Sequence, residues 1–354
     1  MTSRASSRDG LREVQASGPV GLSQRGRLAA RLVALVVTIA VALSLFRVIV
    51  RDGPAALEAW SSTTVEWTWV FIASTLGFCG HALYLIGWKR LLTDLRLSVT
   101  YWELVEYFLV STLGRYLPAG KAWQMGIIGV MASRRGQPGA IIAGTSLVQA
   151  LVGVAVGLLM LSATAGYMYR IPPIWNAVPS AGIVALLLSP WAVRRSARVL
   201  ALSSRFLPSL TSLSVATMWA LVWTAAASWI AWGLALNALA RSVSPEVELA
   251  VATYFSAWAG PFLAGLLAVV SPAGAGVREG VMQGLLVAGG VVPSTALVIV
   301  ASARAWSLLI DVPPAVAVVA LASHRLKRTR RQSAREQAAT ECEPAANRLH
   351  DETE

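Results

Sequence analysis

Two stretches decide the fold: GRYLPAGKAWQ at residues 114–124 and SPAGAGVREG at residues 271–280. Each sits inside a longer region, 101–131 and 249–289, that climbs into apolar sequence, breaks at Pro and Gly, and resumes. Proline removes a backbone donor and glycine loosens the chain, so each break frees polar backbone groups. In lipid such groups are tolerated only where protein or a water-filled cavity satisfies them. Both regions therefore read as re-entrant helical hairpins, with Pro118 and Gly120 at the first break and Pro272, Gly274 and Gly276 at the second.

The surrounding sequence sets the solvent. Mean hydropathy is +0.60, and 56% of the 354 residues are hydrophobic against 14% charged. Soluble domains carry roughly 25% charged residues, so most of this chain is read as lying in a bilayer. Apolar runs long enough to cross, about 20 residues each, lie near 29–50, 67–88, 140–162, 174–192, 213–237 and 296–321. An uncleaved first span is favoured over a signal peptide, because no small-residue cleavage site follows 32–46. The expected architecture is all-α and polytopic: about six transmembrane helices plus two re-entrant hairpins. Residues 1–27 and 323–354 read as disordered cytoplasmic tails around a membrane domain at 28–322.

Charge placement orients this scheme. The formal charge is +12, yet the basic residues occupy the gaps between apolar runs instead of one folded face, which argues against nucleic acid. Arg25 and Arg27, Lys89, Arg90 and Arg96, Arg134 and Arg135, Arg194 to Arg205, and Arg325 to Arg331 all fall on one side if each hairpin returns to the face it left. By the positive-inside rule that side, with both termini, is cytoplasmic. The opposite loops hold mixed charges, such as Arg241 with Glu246 and Glu248. The use of Arg over Lys and the abundance of Ala, Val and Gly suggest a GC-rich bacterial genome, and a bacterial cytoplasmic membrane is the expected location. Span, hairpin, span then occurs twice with opposite sense, and Pro-Ala-Gly stands at both breaks, 118–120 and 272–274. An inverted repeat is expected, as in many transporters.

The residues also limit the chemistry. Cys79 lies in a span and Cys342 in a tail, and of the three histidines only His81 is in a span, so metal or triad chemistry has no ligand set. No cofactor and no metal are expected. A charge near the bilayer centre costs about 2.5–3.5 kcal/mol even on a lenient scale and should face a partner or ligand. Arg115, Lys121 and Arg278 are thus candidates to grip a lipid phosphate, the alternative being snorkelling or pairing with Glu103, Glu106 or Glu279. Glu279 cannot face its neighbour Arg278 on a helix, and Arg304 in the last span is its expected structural partner. Asp311 precedes Val312, Pro313 and Pro314 and reads as the cap of a restarted helix where the last span breaks. His81 reads as a helix-packing residue, and tryptophans such as Trp60, Trp67, Trp88 and Trp102 as interfacial belts.

The two quoted strings resemble motifs of the transmembrane, flippase-like region of lysylphosphatidylglycerol synthases and stand-alone bacterial relatives, over roughly residues 30–322. There a Gly-Lys/Arg-Tyr-Leu-Pro-Gly-Lys motif and a Pro-Gly-Gly-Leu-Gly-Val-Arg-Glu motif recur. The second is the more specific, through Gly274, Gly276, Val277, Arg278 and Glu279; Ala119 and Ala273 depart from the usual Pro-Gly pairs. The resemblance implies translocation or binding of a phospholipid or polyprenyl-phosphate-linked lipid, or non-catalytic partnership with an envelope lipid or glycan synthesis enzyme. Lysyl transfer requires a soluble domain that binds aminoacyl-tRNA, and only a short polar tail follows Leu321, so an enzyme is not expected.

Topology is directly measurable. Single cysteines at Arg134 and Arg135 should react with an impermeant thiol reagent only in inverted vesicles; labelling in intact cells contradicts the hairpin scheme. Removal of residues 326–354 should leave insertion unchanged by membrane fractionation, because that segment lacks apolar periodicity.

Overall fold

A computed structural model describes residues 63–117, 120–168, 213–267, 274 and 276–321, with isolated positions between 54 and 61. The spans expected at 29–50 and 174–192, both tails, Pro118 and Pro272 lie outside the described residues. What is described is all helical: α1 (Trp67–Asp94), α2 (Tyr101–Thr112), a 3-10 turn (Leu113–Tyr116), α3 (Gly120–Arg134), α4 (Gly139–Met168), α5 (Val215–Val243), α6 (Val251–Leu267), α7 (Val277–Ala288) and α8 (Pro293–Leu321). Four helices, α1, α4, α5 and α8, are long and apolar enough to cross a membrane. The chain is thus a polytopic all-α membrane protein. Its described helices run long, short, short, long, and then repeat that order.

The two short pairs are the broken hairpins. In the first, α2 begins with a reciprocal cap: Thr100 Oγ1 accepts from the Glu103 N–H (3.2 Å), and the Glu103 carboxylate accepts from the Thr100 N–H (2.7 Å). The helix tightens into the 3-10 turn, ends at extended Leu117, and resumes at Gly120. In the second, α6 carries Pro261 and its 17 residues fall short of a span. Gly274 (φ +66°) and Gly276 (φ +87°) then turn the chain into α7. These angles lie in the left-handed region that suits glycine and penalises a Cβ.

The long helices meet through small residues. α1 packs along α5, where Ser228 Oγ donates to the Gly80 carbonyl (2.9 Å) and the Trp232 indole fills the space a Gly80 side chain would need. Likewise Trp306 of α8 lies over Gly77, with its Nε1 donating to Ser74 Oγ (3.1 Å), and Trp229 of α5 lies over Gly157, donating to the Gly153 carbonyl (2.8 Å). Lipid tails are as apolar as Leu, so helix association in a bilayer relies on such close packing and hydrogen bonds. The outer faces stay apolar: Trp67 is 75% and Phe71 73% exposed.

The ends expected to face the cytoplasm carry their own ties. Arg135, in the turn after α3, pairs with Glu106 of α2, and Lys89 of α1 donates to the Val99 carbonyl. Tyr107 OH donates to Gln137 Oε1 (2.7 Å), and the Asp94 carboxylate accepts from the Ser214 N–H (2.8 Å), joining the end of α1 to the start of α5.

One sequence expectation is corrected. The last span does not break at Asp311; α8 continues through Val312, Pro313 and Pro314 to Leu321. Asp311 is 4% exposed and its carboxylate pairs with Arg115 on another element instead of capping a restarted helix. Pairing a buried charge outweighs the gain of a cap, about 1 kcal/mol.

The packing yields a stability prediction. A Cβ on Gly77 would lie 2.9 Å from Ile310 Cδ1 and 3.0 Å from the Trp306 ring, whereas one on Gly126 meets nothing within 4 Å. Gly77→Leu should therefore destabilise the folded protein by at least about 1–3 kcal/mol, read as a lower melting temperature in detergent. Gly126→Ala should leave that temperature unchanged or slightly raised.

Candidate functional site

The two breaks and the long helices enclose a cavity of about 420 Å³. Its lining includes Lys121 at the start of α3, Arg278 and Glu279 in the first turn of α7, and Arg304 and Asp311 on α8. Arg115 and Tyr116 of the 3-10 turn, His81 of α1 and the indoles of Trp229, Trp232 and Trp258 complete it. Both α3 and α7 thus begin at the cavity, and helix N-termini present free N–H groups and the positive end of the helix dipole.

Two elements converge on Asp311 of α8. Its Oδ2 receives Arg115 Nη1 (3.0 Å) and the Tyr116 hydroxyl (3.1 Å), and its Oδ1 stands 3.4 Å from His81 Nε2. His81 is also flanked edge-on by Phe108 and Trp232, with ring centroids 5.0 and 4.8 Å away. A carboxylate on α8 is in this way bonded across to the first hairpin and approached from α1.

The second carboxylate is equally committed. Glu279 Oε1 lies 3.5 Å from Arg304 Nε, and its Oε2 accepts from the Gly276 N–H (2.5 Å), closing the start of α7. The sequence expectation of a Glu279–Arg304 contact and the observed geometry coincide. Glu103 and Glu106 lie instead beside Arg135, away from the cavity cations.

That leaves two cavity cations without a carboxylate partner among the described residues. Arg278 Nε is buried and has no hydrogen-bond partner among the described residues. Its guanidinium stands 5.1 Å over the Phe262 ring, a cation–π contact that steadies a charge without neutralising it. Gly265 and Gly274 make room for it, since a Cβ on Gly274 would come within 3.0 Å of Arg278 Nε. Lys121 forms no hydrogen bond or ion pair among the described residues. Of the three residues put forward as phosphate ligands, then, all line one cavity, and only Arg115 is already paired.

Indoles also line the cavity, Trp232 and Trp258 among them, and Trp306 packs against these two. Trp232 and Trp258 stack with centroids 5.0 Å apart at 5°, and Trp306 meets both nearly at right angles. Sequence reading assigned the tryptophans as a class to interfacial belts, which missed this internal group. It also missed the Asp311–Arg115–Tyr116 cluster. A signal existed: an ionisable residue within a spanning segment is costly and marks a partner or a site. Two groups of the same kind on α8, Arg304 and Asp311, are seven residues apart and so share a helix face.

Comparison with known proteins agrees with this architecture. The family model for the lysylphosphatidylglycerol synthase TM region matches residues 31–315. No curated protein matches the chain. The match spans both hairpins, the cavity between them and most of α8, and the chain belongs to the lysylphosphatidylglycerol synthase TM region family.

Proposed function

We propose that this protein binds the phosphate head group of a membrane lipid in the cavity between the hairpins and carries it across the bilayer. The observation that carries the proposal is Arg278: a guanidinium at a helix start, packed on Phe262, with a buried Nε that nothing described satisfies. An unpaired charge in a low-dielectric site is expensive, and a phosphate oxygen is the acceptor that a guanidinium matches best, often by two bonds. Lys121 adds a second donor on the same cavity. The substrate is a phospholipid or a polyprenyl-phosphate-linked lipid, whose hydrocarbon chains remain in the membrane while the head group passes.

The repeated long, short, short, long order supports an inverted repeat in which one half rocks against the other around a fixed site. Two hairpins carrying one unpaired cation each fit such a scheme. In this reading the chain moves its substrate without chemical change, in a bacterial cytoplasmic membrane with both termini inside. The distribution of Lys and Arg between loops supports that orientation.

Purified protein in proteoliposomes containing fluorescent lipids of several head groups tests the proposal. Faster exposure of at least one anionic lipid to an external quencher is expected; equal rates with and without protein for every lipid remove the transport reading. Arg278→Ala should abolish the protein-dependent rate while insertion remains normal. Arg278→Lys should restore part of it, because an ammonium keeps the charge but loses the planar fork. Gly276→Leu should also block transport, since a side chain at φ +87° is strained and crowds the site. A well-inserted Arg278→Ala protein with full transport refutes the phosphate grip.

A further inference from the structure

The charge balance of the cavity carries more than the presence of a phosphate site. Among the described residues four cations line it, Arg115, Lys121, Arg278 and Arg304, against two carboxylates, Glu279 and Asp311. Each carboxylate is bound to one cation, Asp311 to Arg115 and Glu279 to Arg304. Two positive charges, on Lys121 and Arg278, remain unmatched among the described residues. They stand in the first turns of α3 and α7, so the positive ends of two helix dipoles add to them.

From this geometry, and resting on the reading of the cavity as a lipid head-group site, we infer that the ligand is a lipid bearing a doubly charged phosphate. A phosphomonoester or a diphosphate meets that requirement; the phosphodiester of an ordinary glycerophospholipid does not. A phosphodiester brings one negative charge and leaves one cation uncompensated. A monoester carries about −1.5 to −2 charges near neutral pH and three acceptor oxygens, enough to balance the charges of Arg278 and Lys121 in the cavity that both line. Nearby cations further favour its doubly ionised form. A head group with an ammonium or an aminoacyl ester would add positive charge to a cavity that already has an excess. Zwitterionic and cationic lipids are therefore disfavoured substrates.

The test compares two lipids that differ by one methyl group. Phosphatidic acid presents a monoester, and phosphatidylmethanol with the same acyl chains presents a diester. Binding of each to the full-length protein in detergent is measured by tryptophan fluorescence, which the indoles on the cavity wall should report. Phosphatidic acid should bind about tenfold tighter or more. Lys121→Gln should collapse that ratio towards unity by weakening phosphatidic acid far more than its methyl ester. Equal affinities of the native protein for the two lipids overturn the inference, and do so even if the Lys121→Gln protein fails to fold. So does a Lys121→Gln protein that retains the native ratio. Inorganic phosphate binding as tightly as phosphatidic acid assigns the site to a soluble anion and overturns the lipid assignment. Selective binding of phosphatidic acid without any movement between leaflets supports this inference while sinking the transport proposal. Equal transport of both lipids does the reverse.

Discussion

The structure depends on the pairing of charges across elements that lipid would otherwise punish. Arg304 and Asp311 lie two turns apart on one face of α8 and reach opposite hairpins, Arg304 to Glu279 beside the second break and Asp311 to Arg115 beside the first. One helix thereby acts as a strut between the two irregular segments. Asp311 is the buried member of these pairs, and a buried charge that loses its partner is costly.

The close packing of the long helices serves the same end. Gly77, Gly80 and Gly157 admit the indoles of Trp306, Trp232 and Trp229, so these bulky side chains sit at helix contacts and lean towards the interior. Their N–H groups find acceptors on neighbouring helices at Ser74 and Gly153 for Trp306 and Trp229. The resulting cavity is lined by indoles, Trp229 and Trp232 among them, and by two helix starts with cations. In the proposed function such a space receives a group with an anionic part, and the same features that stabilise the fold define what can enter it.

The hairpin breaks bring function and structure into conflict and resolve it locally. Gly276 satisfies its freed N–H with Glu279, the residue next to Arg278. Adjacent residues on one helix turn thus take opposite roles: Glu279 is spent on closing the helix start and holding Arg304, while Arg278 is held over Phe262 and left available. A helix places neighbours in sequence about 100° apart, which makes this division of labour possible.

The sequence alone determined the solvent and the class of fold, because apolar run length and composition act through the bilayer on any chain. It also located both breaks, since Pro and Gly act on the backbone wherever they occur, and it paired Glu279 with Arg304 by excluding a same-direction neighbour. Lys121 and Arg278 were legible as costly intramembrane charges. What only the tertiary structure decided is which of those charges remain free. Arg115 and Asp311 are 196 positions apart, and nothing local in either stretch specifies their contact. The Pro313–Pro314 pair pointed to a helix restart, yet long-range pairing governed Asp311. Tryptophans read as interfacial belts could not be told from those turned inward, because hydropathy reports that a side chain leaves water and not which neighbour it meets.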